Sequence, residues 1–227
     1  NDGDQDLVIS REWDTPAIYI NENGTFEDRT AEFGLTRMPG LWTCLTAGDF
    51  DEDGRMDYVL GNWGRNVEWS RAIAQGEEMR LYYGDYDANG LTDMMLAGGE
   101  SITSPFKPMV SRDVATQGVR KWQQLFPSSE SYATASIADL VGEGSDYRRV
   151  RELRSIVLLN RGASFDARPL PLEAQYAPIL SLAALDIDGD SHLDLVAAQN
   201  YFANANYIGR FDAGHCLIMR GDGQGRF

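Results

Sequence analysis

The residues with the plainest chemical meaning form Asp49-Phe-Asp51-Glu-Asp53-Gly54-Arg55-Met-Asp57, where carboxylates alternate along a short stretch and a glycine follows the third. Oxygen side chains on alternate residues, turning at a glycine, are how a chain wraps a hard cation, and Ca2+ takes about six to eight oxygen ligands in such a shell. The pattern returns as Asp85-Tyr-Asp87-Ala-Asn89-Gly90-Leu91-Thr-Asp93 and as Asp186-Ile-Asp188-Gly-Asp190-Ser191-His192-Leu-Asp194. A fourth copy opens the chain, with Asp2 aligned to Asp53, Gly3 to Gly54 and Asp6 to Asp57; its positions 1 and 3 would precede Asn1. The expected ligands are the side chains at positions 1, 3, 5 and 9, with the backbone carbonyl of position 7 (Arg55, Leu91, His192) between them, which turns the His192 side chain away. Asp/Asn/Gly clusters also serve as ordinary turns without metal. Repetition with matched positions favours three complete calcium sites and one partial one. Ser191 replaces the position-6 glycine and strains its turn if φ there is positive.

The elements around the loops decide their kind. An EF-hand needs a bidentate Glu at position 12, but Leu60, Leu96 and Ala197 stand there. Instead the position-9 Asp leads into an apolar run each time: Asp57-Tyr-Val-Leu, Asp93-Met-Met-Leu-Ala, Asp194-Leu-Val-Ala-Ala and Asp6-Leu-Val-Ile. Runs of strand character precede the complete loops at Trp42–Ala47, Arg80–Tyr83 and Ile179–Leu185. Each loop therefore joins two strands.

This D-x-D-x-[DN]-G-x-x-D pattern, followed by a strand, resembles the FG-GAP or VCBS repeat of integrin α-chain propellers and of many bacterial secreted proteins. The blocks Leu60-Gly-Asn-Trp-Gly-Arg-Asn66, Leu81-Tyr-Tyr-Gly-Asp-Tyr-Asp87 and Leu158-Leu-Asn-Arg-Gly are most similar to the bacterial relatives of cartilage acidic protein, which often carry an ASPIC/UnbV segment not visible here. The resemblance implies an all-β chain of calcium-bearing β-propeller blades and is specific for fold and metal rather than for an activity. It also implies export, to the periplasm, the cell surface or the medium of a bacterium.

Asn21-Glu-Asn-Gly-Thr-Phe26 returns as Asn160-Arg-Gly-Ala-Ser-Phe165, and more loosely as Arg220 to Phe227, so a glycine turn and an aromatic anchor recur together. Several short strands per repeat suit propeller blades. We expect one propeller region over residues 1–227, partial at both ends and completed by further residues or another chain. The 101 residues from Asp85 to Asp186, against 36 from Asp49 to Asp85, require an insertion, placed at about 102–154. There Val110, Val114, Trp122, Leu125 and Phe126 recur at helical spacing near a cap at Ser111, and Tyr132 to Val141 reads as a second short helix.

A net charge of -15 over 227 residues argues against a nucleic-acid partner, and much of the acidity lies in the loops. No apolar run approaches the roughly 18 residues of a membrane helix. The run Arg148, Arg149, Arg151 and Arg154, near Glu143, Asp146 and Glu152, reads as a solvated, internally paired face, with an anion or partner site as the alternative. Tyr201, Phe202, Tyr207 and Phe211, and Trp63 and Trp69 beside Asn62, Arg65 and Asn66, suit either a glycan platform or packing between blades. Cys44 and Cys216 lie in apolar stretches, as two buried thiols or a disulfide. No G-x-S-x-G elbow occurs, and His215 stands apart from any partner motif. Carboxylates committed to Ca2+ make poor proton donors, so the expected function is a non-catalytic scaffold for protein or glycan ligands. The alternatives are a polysaccharide-active enzyme or its binding module, and a segment completing a larger propeller.

Overall fold

The computed structural model describes residues 3–99, 105–203 and 210–227. The fold is mostly β, built from antiparallel sheets of the blade type with a minor helical part. Strands β1 (Leu7–Ile9), β3 (Ala17–Glu22) and β4 (Thr25–Asp28) make the first sheet, in the order β1-β3-β4. β2 (Glu12–Asp14) leaves that sheet to pair with β5 (Gly40–Leu41). The β3–β4 hairpin turns on Asn23 and Gly24, with φ of 55° and 89°, and Glu22 pairs with Thr25. Two consecutive positive-φ residues give the tight turn whose twist matches the strands, which is why Asn-Gly stands there.

β6 (Cys44–Gly48) and β7 (Asp57–Gly61) form the hairpin closed by the Asp49 loop, with Gly48 opposite Asp57. The chain then leaves the sheet through α1 (Ser70–Ala74) and builds a second one. There β8 (Glu78–Gly84) and β9 (Asp93–Gly99) flank the Asp85 loop, β10 (Lys107–Pro108) joins β9, and β11 (Tyr147–Val150) joins β8.

Between β10 and β11 come α2 (Arg112–Gly118), α3 (Lys121–Leu125), α4 (Ser129–Ala133) and α5 (Ile137–Val141). Ser111 caps α2, accepting from the Val114 amide. The single helix expected over Tyr132–Val141 is two helices, because Ser136 interrupts it with a capping box: the Asp139 carboxylate accepts from the Ser136 amide at 2.8 Å while the Ser136 hydroxyl accepts from the Asp139 amide. These four helices lie within the expected 102–154 insertion; Ile102 itself lies outside the described residues.

The chain then returns to the sheet it left. β12 (Ile156–Asn160) pairs with β7, Ile156 opposite Leu60, and β13 (Phe165–Pro169) completes a four-stranded sheet of order β13-β12-β7-β6. β14 (Ile179–Leu185), β15 (Asp194–Gln199) and β16 (Leu217–Met219) form the last sheet, with the Asp186 loop between β14 and β15.

The chain packs as two compact units, one from Asn1–Ser70 with Glu152–Phe227 and the other from Arg71–Arg151. In the first unit, alternation along β7 and β12 sends Leu60, Ile156 and Leu158 into a core with Ile18, Leu35 and Trp42. It sends Val59, Val157 and Leu159 into another with Ile179, Leu195 and Ala197. Burial on both faces explains the unbroken apolar run Ile156-Val-Leu-Leu, each such side chain contributing about 1.5–3 kcal/mol. In the second unit, Tyr82, Tyr86, Met95 and Ala97 of the sheet and its loop pack against Val119, Trp122, Phe126 and Leu140 of the helical segment.

Candidate metal sites

The three complete loops share one hydrogen-bond frame. The position-1 carboxylate gathers backbone amides: Asp49 accepts from Asp53 (3.1 Å) and Gly54 (2.9 Å), Asp85 from Asn89 (3.0 Å) and Gly90 (2.9 Å), and Asp186 from Gly189 (2.7 Å) and Ser191 (3.0 Å). The position-5 oxygen accepts from the position-7 amide, Arg55 to Asp53, Leu91 to Asn89 and His192 to Asp190, at 3.0, 2.7 and 2.9 Å. The position-9 carboxylate accepts from the position-2 amide, Phe50 to Asp57, Tyr86 to Asp93 and Ile187 to Asp194, each at 2.9 Å. Among the described residues, position 3 serves no backbone amide.

Position 3 therefore tests whether a cation fits. One carboxylate oxygen of Asp51 and one of Asp87, both Oδ1, are buried without a hydrogen-bond partner. A buried carboxylate oxygen lacking a partner is costly, and a cation removes that cost. Ligand atoms of Asp49, Asp51 and Asp53 lie within 4.8 Å of one another, as do those of Asp85, Asp87 and Asp93, and of Asp186, Asp188 and Asp194. All-oxygen donors with no sulfur or imidazole suit Ca2+. Asp57 lies outside the first of these groups although its counterparts Asp93 and Asp194 belong to theirs. Burial pushes the Asp57 carboxyl upward, and the charges of Asp51 and Asp53 push the same way, against the amides of Asn160 and Phe50. Asp194 is lowered instead, by the amides of Ile187 and Gly221.

The turn geometry shows a feature that sequence reasoning missed. Position 4 has positive φ in every loop, 56° at Glu52, 61° at Ala88 and 80° at Gly189, and so does position 6, at 84°, 83° and 73° for Gly54, Gly90 and Ser191. Each loop spends its one glycine on one of two left-handed positions, and the Asp186 loop has moved it from 6 to 4. Ser191 thus sits in the strained conformation that its substitution for glycine implied.

A second missed feature explains the recurring Asn-turn-Phe pattern. The Asn160 amide donates to Asp57 Oδ1 at 2.7 Å, the Asn21 amide to Asp6 Oδ1 at 3.0 Å, and the Gly221 amide to Asp194 Oδ1 at 2.9 Å. The side chains of Asn21 and Asn160 then close their own turns, accepting from Gly24 and Gly162, each at 2.8 Å. The two hairpins and the turn after β16 are thereby docked on the position-9 Asp of their sheets. The signal was present in the spacing, but its partner was not.

Arginines from those turns, and one from the Asp49 loop itself, also pair with loop carboxylates. Arg161 meets Asp51 Oδ2 at 2.5 Å, Asp53 at 3.4 Å and Asp166 at 3.8 Å. Arg220 meets Asp188 Oδ2 at 3.2 Å, and Arg55 pairs with Asp53. The His192 ring, turned out of its loop as expected, pairs with Glu52 of the Asp49 loop at 2.5 Å, which raises its pKa.

The other candidate groups make contacts of their own. Trp63 packs against Phe211, Tyr201 and Trp69 at ring-centroid distances of 5.1, 5.5 and 6.2 Å, in tilted or edge-on contacts that cover ring faces. Phe202 stays exposed, and Tyr207, like Asp2, lies outside the described residues. Asn62 is fully buried, its amide donating to Ser155 Oγ at 3.0 Å and its side chain to the Glu152 carbonyl at 3.1 Å. In the basic run, Arg154 pairs with Glu152 and Arg151 with Glu78. Glu78 also takes Arg80, whose guanidinium stacks on Phe106 at 3.7 Å and Tyr147 at 4.2 Å. Cys44 and Cys216 are free thiols; Cys44 is half-buried, its pKa raised by burial, while Cys216 is exposed, contrary to a pair of buried thiols.

Loop, strand and docked hairpin recur as one unit. Residues 1–60 match the FG-GAP-like repeat. That match runs from the partial loop through the Asp49 loop into β7, so the FG-GAP-like repeat covers the first copy of this arrangement and the loop of the second. No curated protein matches the chain. Among the described residues, no helix is long and apolar enough to cross a membrane.

Proposed function

We propose that the chain is a calcium-stabilised, non-catalytic β-propeller-type scaffold that works outside the cytoplasm, in the envelope or beyond it, and presents its surface to protein or glycan ligands. The observation that carries this reading is the common frame of the three loops, in which backbone amides engage positions 1, 5 and 9, together with the buried, unpartnered position-3 oxygens of Asp51 and Asp87 in two of them. Asp49, Asp51, Asp53 and Asp57 would hold one ion, Asp85, Asp87, Asn89 and Asp93 a second, and Asp186, Asp188, Asp190 and Asp194 a third. Arg55, Leu91 and His192 would each add a backbone carbonyl. Bound calcium supplies charge that offsets the crowded carboxylates. Extracellular calcium modules bind at about 10⁻⁴ to 10⁻³ M, which matches calcium outside the cell.

The test is thermal unfolding in excess calcium and in EDTA. At tenfold excess over the dissociation constant, each site adds about 1.4 kcal/mol, so three sites raise the midpoint by roughly ten degrees. Equal midpoints would sink the calcium reading. Glycan-array and pull-down binding without product release from polysaccharide supports a scaffold; turnover overturns the non-catalytic reading.

A further inference from the structure

The three loops differ in charge. At their side-chain ligand positions the Asp49 and Asp186 loops carry four carboxylates, with Asp53 and Asp190 at position 5, whereas the Asp85 loop carries three, with Asn89 there. The arginines follow the same division. Arg161 pairs with Asp51 and Asp53, Arg55 of the loop itself also with Asp53, and Arg220 with Asp188. Among the described residues, no arginine pairs with a carboxylate of the Asp85 loop.

Arg161 and Arg220 are both placed by the backbone contact that docks the turn each one belongs to. Arg161 follows Asn160, whose amide caps Asp57, and Arg220 precedes Gly221, whose amide caps Asp194. The backbone thus delivers a guanidinium to position 3 each time. Arg161 is the better placed, its side chain 35% exposed against a 9% exposed Asp51, while Arg220 is 76% exposed. Arg161 also engages only Oδ2 of Asp51, leaving the buried Oδ1 open. Guanidinium and metal ion can therefore address different oxygens of one carboxylate.

Resting on the calcium reading above, we propose that Arg161 is the resident counter-cation at position 3 of the Asp49 loop, beside Arg55, which pairs at position 5, and that it holds the loop together when no metal is bound. Four crowded carboxylates repel one another, and in the metal-free loop Arg161 offsets much of that repulsion. Once a divalent ion binds, the same guanidinium faces a site of half the negative charge and a like-charged neighbour, so it contributes less. Arg161 then narrows the difference between the metal-free and loaded states, and it lowers calcium affinity in return for a loop that stays shaped without metal. The Asp85 loop, lacking such a cation, depends on calcium most.

The experiment compares wild type, R161M, R161K and R220M by thermal unfolding in EDTA and in calcium, with calcium titrated calorimetrically. R161M is expected to widen the calcium-induced shift by about 2 °C or more and to tighten calcium at one site severalfold. R161K restores the wild-type difference, and R220M changes it less. A merely structural arginine lowers both midpoints equally and leaves the difference unchanged. An unchanged or narrower shift in R161M, with the wild-type shift present, overturns this inference and spares the calcium reading. The absence of a shift in wild type overturns both. If R161M folds only with calcium the inference is supported, and if it folds in neither condition it is overturned.

Discussion

The Asp49 and Asp85 hairpins follow one nine-residue plan in different surroundings. Both use the same amide-to-carboxylate frame and leave one buried oxygen at position 3. The Asp49 hairpin is held by distant chain: β12 pairs beside it, Asn160 caps Asp57, and Arg161 spans Asp51 and Asp53. The Asp85 hairpin has no such cap, since Asp93 accepts from Tyr86 alone among the described residues, and its sheet rests on short helices while Met94 of β9 stands 67% exposed. The local chemistry of a loop is thus portable, and what anchors it is not.

The largest effect that would sharpen this contrast comes from Trp122, almost fully buried, whose indole donates to the Leu140 carbonyl at 3.0 Å. Trp122→Ala should cost about 3–5 kcal/mol. Hydrogen exchange should then show protection lost across Arg71–Arg151 and bound calcium reduced by one ion, with the Asp49 and Asp186 loops unaffected. Loss of all the ions together would break the comparison.

A smaller effect is expected at Glu78, which is nearly buried. Burial raises its pKa, but Arg80 and Arg151 outweigh that and bring it below its ordinary value. A carboxyl lowered by folding contributes stability above its unfolded pKa and loses it as pH falls through the folded one. Acidification below about pH 4.5 should therefore weaken the Arg71–Arg151 unit, and Glu78→Gln should cost about 2 kcal/mol at neutral pH and flatten that acid dependence. An undiminished acid dependence in the variant would assign it elsewhere.

The smallest effect separates the Asp186 loop from the other two. Ser191→Gly should relieve left-handed strain and add about 1 kcal/mol, while Gly189→Ala should lose a similar amount. Equal denaturation midpoints for both variants and wild type would show that the glycine shift between positions 4 and 6 has no energetic consequence.

What was legible in the sequence was local. The position-9 Asp leading into β1, β7, β9 and β15, the Asn23-Gly24 turn and the Ser111 cap each depend on residues a few places apart. The pairing of Ile156 with Leu60 and the reach of Arg161 to Asp51 were illegible, because nothing near either residue names a partner about a hundred positions away. The break at Ser136 lay between these cases: the capping box was written in the sequence, but the apolar spacing from Tyr132 to Val141 hid it. The conformation at Glu52 and Ala88 was concealed by residue types that give no sign of positive φ.

The return of β12 to β7 also sets an order of events during synthesis. Residues 62–155 separate the two strands, and at roughly 5–20 residues per second they take on the order of ten seconds to emerge from the ribosome. Throughout that interval the nascent β6–β7 hairpin presents an open, apolar edge, and Asp57 waits without the Asn160 amide. An inserted unit that folds early, on its own local helices and hairpin, shortens the distance that β12 must search and so limits how long that edge stays open to other chains.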